Sequence, residues 1–99
     1  MNPPRINIEV TQADIDKGER RSFCKCPVAL AIKRAVTPGL EVYVGQGAIT
    51  LRNDGGLWFD TQSISVQDFV VDFDFGRQVK PFSFPLTMNC KPRYCDLNP

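Results

Sequence analysis

The 99-residue chain contains no histidine. It therefore lacks the usual base for a cysteine nucleophile, and any zinc site would have to be built from thiolates alone. Excess charge of one sign is missing too, since 12 Lys and Arg stand against 11 Asp and Glu. That balance argues against a bulk nucleic-acid binder and against an acidic mimic of DNA. The apolar runs fall short of the ~20 residues that cross a bilayer. Met1-Asn2-Pro3-Pro4-Arg5 lacks the apolar region of a secretory leader, so an intracellular protein with reduced thiols is expected. There is no internal repeat, low-complexity segment or linker, and the length fits one domain.

Charge is unevenly spread along the chain. Six bases and one acid lie between Lys17 and Arg34, then five acids and no base between Asp54 and Asp74. The stretch from Arg77 onward turns basic again. Such runs ordinarily make solvated faces; the sharper reading is a basic and an acidic patch on different surfaces.

Residues 20–36 organise the chain. Arg20-Arg21-Ser22-Phe23-Cys24-Lys25-Cys26-Pro27 leads into an apolar run whose Val28, Ala31, Ile32 and Ala35 repeat at the spacing of one helical face. Pro27 suits the first turn, where its missing N–H would have had no partner. The expected helix runs from Pro27 to about Val36 and ends at Thr37-Pro38-Gly39. Ahead of it, residues 6–10 alternate as a strand, and Thr11 with Asp14 forms a near capping box for a short helical turn over 12–17. Gly18 stops that turn, with the left-handed conformation open to glycine as the expected reason.

Residues 40–44 and 48–52 read as strands joined at Gly45-Gln46-Gly47, and Asn53-Asp54-Gly55-Gly56 as a hairpin into the strand 57–60. A second helix, capped by Ser63 or Ser65, places Val66, Phe69, Val70 and Phe73 on one face and Asp68 and Asp72 on the other, with Gly76 as its stop. Phe82 to Leu86 alternates, and Pro85 marks an edge strand. The expected fold is a two-layer α+β domain over residues 1–86, with a short, mostly antiparallel sheet in the order β-α-β-β-β-α-β and two helices on one face. Residues 87–99 show no periodicity and read as an irregular tail. The expected core is Ile6, Ile8, Val28, Ile32, Val42, Ile49, Leu51, Trp58, Phe69, Val70, Phe73 and Phe84.

Four thiols invite chemistry. Cys24 and Cys26 lie one residue apart, Cys90 and Cys95 four apart. Four free thiols, disulfides that staple the tail, and a structural zinc on Cys24, Cys26, Cys90 and Cys95 all remain open, although the first pair departs from common ligand spacing. A helix N-terminus together with Arg20, Arg21 and Lys25 would favour a thiolate at Cys24 or Cys26. With no histidine beside it, such a thiol would be reactive rather than catalytic. Arg20, Arg21, Lys25, Lys33 and Arg34 are the candidate partner-binding residues, able to meet phosphates at the mouth of the helix.

Thr11-Gln12-Ala13-Asp14-Ile15, Gly18-x-Arg20 and Cys26-Pro27-Val28-Ala29-Leu30-Ala31-Ile32-Lys33-Arg34-Ala35 together resemble a group of small uncharacterised bacteriophage and prophage proteins. Val42-Tyr43-Val44-Gly45-Gln46-Gly47 and Val79-Lys80-Pro81-Phe82-Ser83-Phe84 share the likeness, which covers roughly residues 6–86. It departs at the thiol pair, Cys24-x-Cys26 here and more nearly Cys-x-x-Cys there, and it does not reach the tail. The resemblance implies a phage-encoded protein acting in the host bacterial cytoplasm, and no site residues. The functional expectation is a non-enzymatic accessory protein that binds a host macromolecule, a host protein above all, to blunt a defence or redirect an enzyme. The alternative is a nucleic-acid- or nucleotide-binding module using the basic helix mouth. No cofactor beyond the zinc alternative and no membrane contact are expected.

Overall fold

The alternating stretches pair into two small antiparallel sheets rather than one. A computed structural model describes residues 5–36, 39–45, 47–53, 56–61, 63–87 and 89–90. In chain order the elements are β1 (Arg5–Val10), α1 (Gln12–Lys17), α2 (Pro27–Ala35), β2 (Glu41–Val44), β3 (Ala48–Asn53), β4 (Gly56–Thr61), α3 (Ile64–Asp74), β5 (Phe82–Thr87) and β6 (Asn89–Cys90). One sheet is β1-β5; the other runs β2-β3-β4-β6. The α+β class is as the sequence indicates, with helices packed on short antiparallel strands.

Alternation built each strand's buried face. Ile8 and Val10 of β1 are buried while Asn7 and Glu9 are exposed, and Ile8 stands opposite Phe84 of β5. In the larger sheet Val42, Leu51 and Trp58 form one cross-strand row, and Val44 and Ile49 the next. Direct opposition on a shared face is the contact that stabilises neighbouring strands. The β3–β4 hairpin forms as its turn residues indicate, with Asn53 opposite Gly56; the two residues between them lie outside the described ones. Likewise α2 ends at Ala35, while Thr37 and Pro38 lie outside the described residues.

The division into two sheets arises at β5. It spends its length on β1, from Arg5 opposite Thr87 to Val10 opposite Phe82, and the edge of β4 away from β3 pairs with β6 instead. The Asp60 carboxylate of β4 accepts the Thr87 N–H at 2.8 Å, tying the two sheets at the changeover. That bond shows Thr87 turning its N–H away from β1. Residue 85, two positions earlier, faces the same way, so the N–H that Pro85 lacks is one the β1 ladder never used. Three residues of the stretch expected to be irregular are strand: Thr87 closes β5, and Asn89 and Cys90 pair with Phe59 and Trp58. Residues 91–99 lie outside the described residues.

The helices cover the strands' apolar faces. Val28, Ala29, Ala31 and Ile32 of α2 are buried, and so are Val66, Phe69 and Phe73 of α3. The Phe69 ring lies tilted against Phe82, with centroids 4.7 Å apart, locking α3 over β5. Nine of the twelve expected core residues are buried; Ile6, Trp58 and Val70 are half-buried against them. Val10, Val44 and Leu86, which continue the same alternations, join the core as well.

The turn over 12–17 is a true helix, and its capping box is complete. Thr11 Oγ1 accepts the Asp14 N–H at 3.3 Å, and Asp14 Oδ2 accepts the Thr11 N–H at 2.8 Å. Gly18 corrects the expectation made for it. Its φ is −68°, extended rather than left-handed. Glycine is required there because an added Cβ would lie 2.5 Å from Pro27 Cδ. The chain entering from α1 runs directly over the first residue of α2, and no side chain fits between them.

Candidate docking groove

The residues between α1 and α2 form a closed loop. The Glu19 N–H donates to the Lys25 carbonyl at 2.8 Å, and the Lys25 N–H donates to Ser22 Oγ at 3.0 Å. Two bonds fasten this loop to the body: Val44 donates its N–H to the Phe23 carbonyl at 2.6 Å, and Arg21 donates its N–H to Asp74 Oδ1 at 2.8 Å. Arg21 sits at φ 57°, the one described non-glycine residue with a positive φ. A left-handed backbone at such a residue costs about 1–2 kcal/mol. Strain of this kind persists where neighbours hold it, and it collects at working surfaces.

Pinned this way, the loop stands opposite the C-terminal half of α3 and leaves a groove of about 380 Å³. Arg21 and Phe23 line it from the loop, Val70, Val71 and Phe75 from α3 and its C-terminal end, and Val44, Gly45 and Gly47 complete the lining. Phe23 is 62% exposed, Phe75 68% and Val71 47%. Ile64, one helical stripe further up α3, is 77% exposed. Arg77 lies over the Phe75 ring at 5.4 Å and is paired with Asp72 at 3.0 Å. The Arg20 guanidinium lies against Gly76, with Cζ 3.4 Å from where a Cβ would stand, at the electronegative end of α3. Gly76 itself, at φ 77°, makes the left-handed stop expected of it. Among the described residues neither Arg20 nor Arg21 has an ion-pair partner.

The structure divides the five expected binding residues. Arg21 lines the groove, and Arg20 joins it in a recess alongside, with Asp74 and Phe75. Lys25 stands out on the loop, 3.9 Å from the equally exposed Glu19 carboxylate. Lys33 donates to the Cys24 carbonyl at 2.6 Å. Arg34 is a structural residue: its two terminal nitrogens hold the Asp14 carboxylate at 2.6 and 2.9 Å, and one also donates to the Glu9 carbonyl at 2.8 Å. Asp14 is only 4% exposed. Burial alone would push its carboxyl up; the Arg34 guanidinium and the Thr11 donors outweigh that and hold it below its ordinary value.

The mouth of α2 is filled by the chain's own atoms. Cys26 is the N-cap, its Sγ accepting the Ala29 N–H at 3.4 Å and its carbonyl the Leu30 N–H at 3.0 Å. Pro27 has no N–H to give, and Gly18 covers it. Cys26 is buried, and burial pushes its thiol up despite the hydrogen bonds that favour the charged form. The thiolate expected there is thus corrected for Cys26: desolvation exceeds the pull of the helix end. Cys24 is half-buried, and among the described residues neither thiol is in a disulfide. The Cys90 side chain and Cys95 lie outside the described residues, so the disulfide and zinc alternatives involving them do too. Among the described residues no three or more acidic or thiol groups gather as metal ligands.

The groove residues Phe23, Val71 and Phe75 are what sequence reading missed. The signal existed on α3: Ile64, Val71 and Phe75 are spaced by seven and four, a second apolar stripe opposite Val66, Phe69 and Phe73. Asp68 and Asp72 drew attention to a polar face that is in fact interleaved with large apolar side chains. Compared with protein-family models, with curated proteins and with solved structures, the chain matches none.

Proposed function

We propose that this protein acts by binding another protein, without catalysis of its own, and that the groove between the Arg21–Phe23 loop and α3 is where the partner's apolar segment lies. The observation that carries this reading is the pair of exposed phenylalanines, Phe23 and Phe75, that line one groove. Leaving two such rings in water forgoes a few kcal/mol of burial that a partner would restore. Aromatic and arginine side chains together are the residue types that dominate interface energetics. A domain of this size has room for one standard interface of about 800 Å² per partner. The likeness of residues 6–86 to small phage proteins supplies the setting: an accessory protein docking on a host protein in the bacterial cytoplasm, to blunt a defence or redirect an enzyme. The phosphate-binding alternative has less support, because the α2 mouth it relied on is capped by Cys26.

The test compares the tagged protein with the double variant Phe23→Ser, Phe75→Ser in nuclease-treated bacterial lysate. Both rings are exposed, so the variant keeps its fold, checked by circular dichroism. A protein retained by the parent and lost from the variant, then bound by the parent in purified form, is the expected result. Equal retention by both, or recovery of nucleic acid alone when nuclease is omitted, overturns it.

A further inference from the structure

We infer that the segment the groove accepts is acidic at one end: an apolar stretch whose large side chains lie between Phe23 and Phe75 and whose carboxylates meet Arg20 and Arg21. This rests on the groove being a protein-docking site and adds the chemistry of what docks. The apolar part follows from the exposed rings and Val71. The charged part follows from placement. Arg20 and Arg21 border the same end of the groove beside Asp74 and Phe75, and neither guanidinium meets a carboxylate among the described residues. By contrast Arg34, Arg52 and Arg77 each hold one. Arg20 faces the electronegative end of α3, and its planar fork still has donors to offer a bidentate carboxylate.

Asp74 forms no ion pair with either guanidinium; its Oδ1 accepts the backbone N–H of Arg21. That bond fixes the left-handed turn and so aims the Arg21 side chain over the groove. A peptide fits the charge pattern better than a nucleic acid does. Beyond Arg21 the groove's lining offers a phosphate no further base, and Asp74 within it repels one. A peptide can concentrate its acids at the arginine end and lay neutral apolar side chains along the rest.

A random twelve-residue peptide library displayed against the full chain tests this, with selected peptides then synthesised and titrated. The expected outcome is peptides joining large apolar residues to two or more Asp or Glu. They should fail to bind Phe23→Ser, Phe75→Ser. They should bind Arg20→Gln, Arg21→Gln about tenfold more weakly, the loss expected for exposed charge pairs at an interface rim. The single variant Arg21→Gln, away from the α3 terminus, should show part of the same loss, which separates charge recognition from any effect on the helix end. Peptides that need the two phenylalanines but carry no acidic bias, or that ignore both arginines, overturn the acidic assignment and leave the groove standing. Selected peptides indifferent to Phe23 and Phe75, or no selected peptide, overturn both. An oligo(dT) probe that binds more tightly than every selected peptide and is released by Arg21→Gln overturns the inference in favour of a nucleic acid.

Discussion

Asp14 carries three duties at once. It closes the capping box of α1, fills a buried position and receives both prongs of Arg34. Replacing it by Asn keeps the size and removes the charge. We expect Asp14→Asn to cost about 1–3 kcal/mol, combining a lost cap with a half-exposed ion pair, read by urea unfolding at neutral pH. The pH dependence has a definite sign. The folded carboxyl is held below its ordinary 3.8, so its contribution is whole above that value and fades as pH falls through the lower, folded one. The gap between parent and variant should therefore narrow on acidification below about pH 4. Gly18 offers a steric counterpart. Gly18→Ala should destabilise by about 1–3 kcal/mol because the new methyl meets the rigid Pro27 ring. Gly45→Ala, whose Cβ would find its nearest atom at 3.8 Å, is the control and should change the urea midpoint little.

At the scale of elements, α3 is the one that bears two apolar faces. Its inner face locks to β5 through Phe69 and Phe82. Its outer stripe of Ile64, Val71 and Phe75 remains in water. The two faces should respond differently to truncation. Phe69→Ala should cost about 3–5 kcal/mol, as deletion of a buried ring does, whereas Val71→Ser should shift the melting temperature little. A large loss from Val71→Ser would show the outer stripe to be covered by the chain itself. Helix α2 presents the opposite case. Its apolar face is buried, and its N-terminus is occupied by the Cys26 sulfur and roofed by Gly18. Periodicity alone exposed the inner face of both helices. It could not tell an outer face that is solvated from one that carries rings.

At the scale of the molecule, the two sheets meet where the Asp60 carboxylate holds the Thr87 N–H. Asp60→Ala leaves that half-buried donor unpaired, at a cost of about 1–3 kcal/mol. Hydrogen exchange should show the Thr87 amide speeding up while the β2–β3 amides keep their protection. Uniform acceleration across both sheets would mean that they open as one unit and that this bond does not set the join.

Most of the fold was legible in the residues. Alternation at positions 6–10, 40–44, 48–52 and 82–86 located strands and their inner faces, since successive side chains must point to opposite sides. The Asn-Asp-Gly-Gly turn located a hairpin, and Thr11, Pro27, Gly76 and either Ser63 or Ser65 marked helix ends by their hydrogen-bonding and dihedral needs, with Ser63 proving to be the cap. Such features are local: each depends on a few consecutive residues. Tertiary structure alone decided that β5 pairs with β1 and leaves β4 to β6, because alternation says which face is buried and nothing about which strand lies alongside. It decided that Arg34 belongs to Asp14 and Arg21 to the groove, although the sequence presents them in one basic run. It also decided that Phe23 and Phe75, 52 positions apart in the chain, line one groove, since the loop fastened to Val44 and Asp74 lies beside α3.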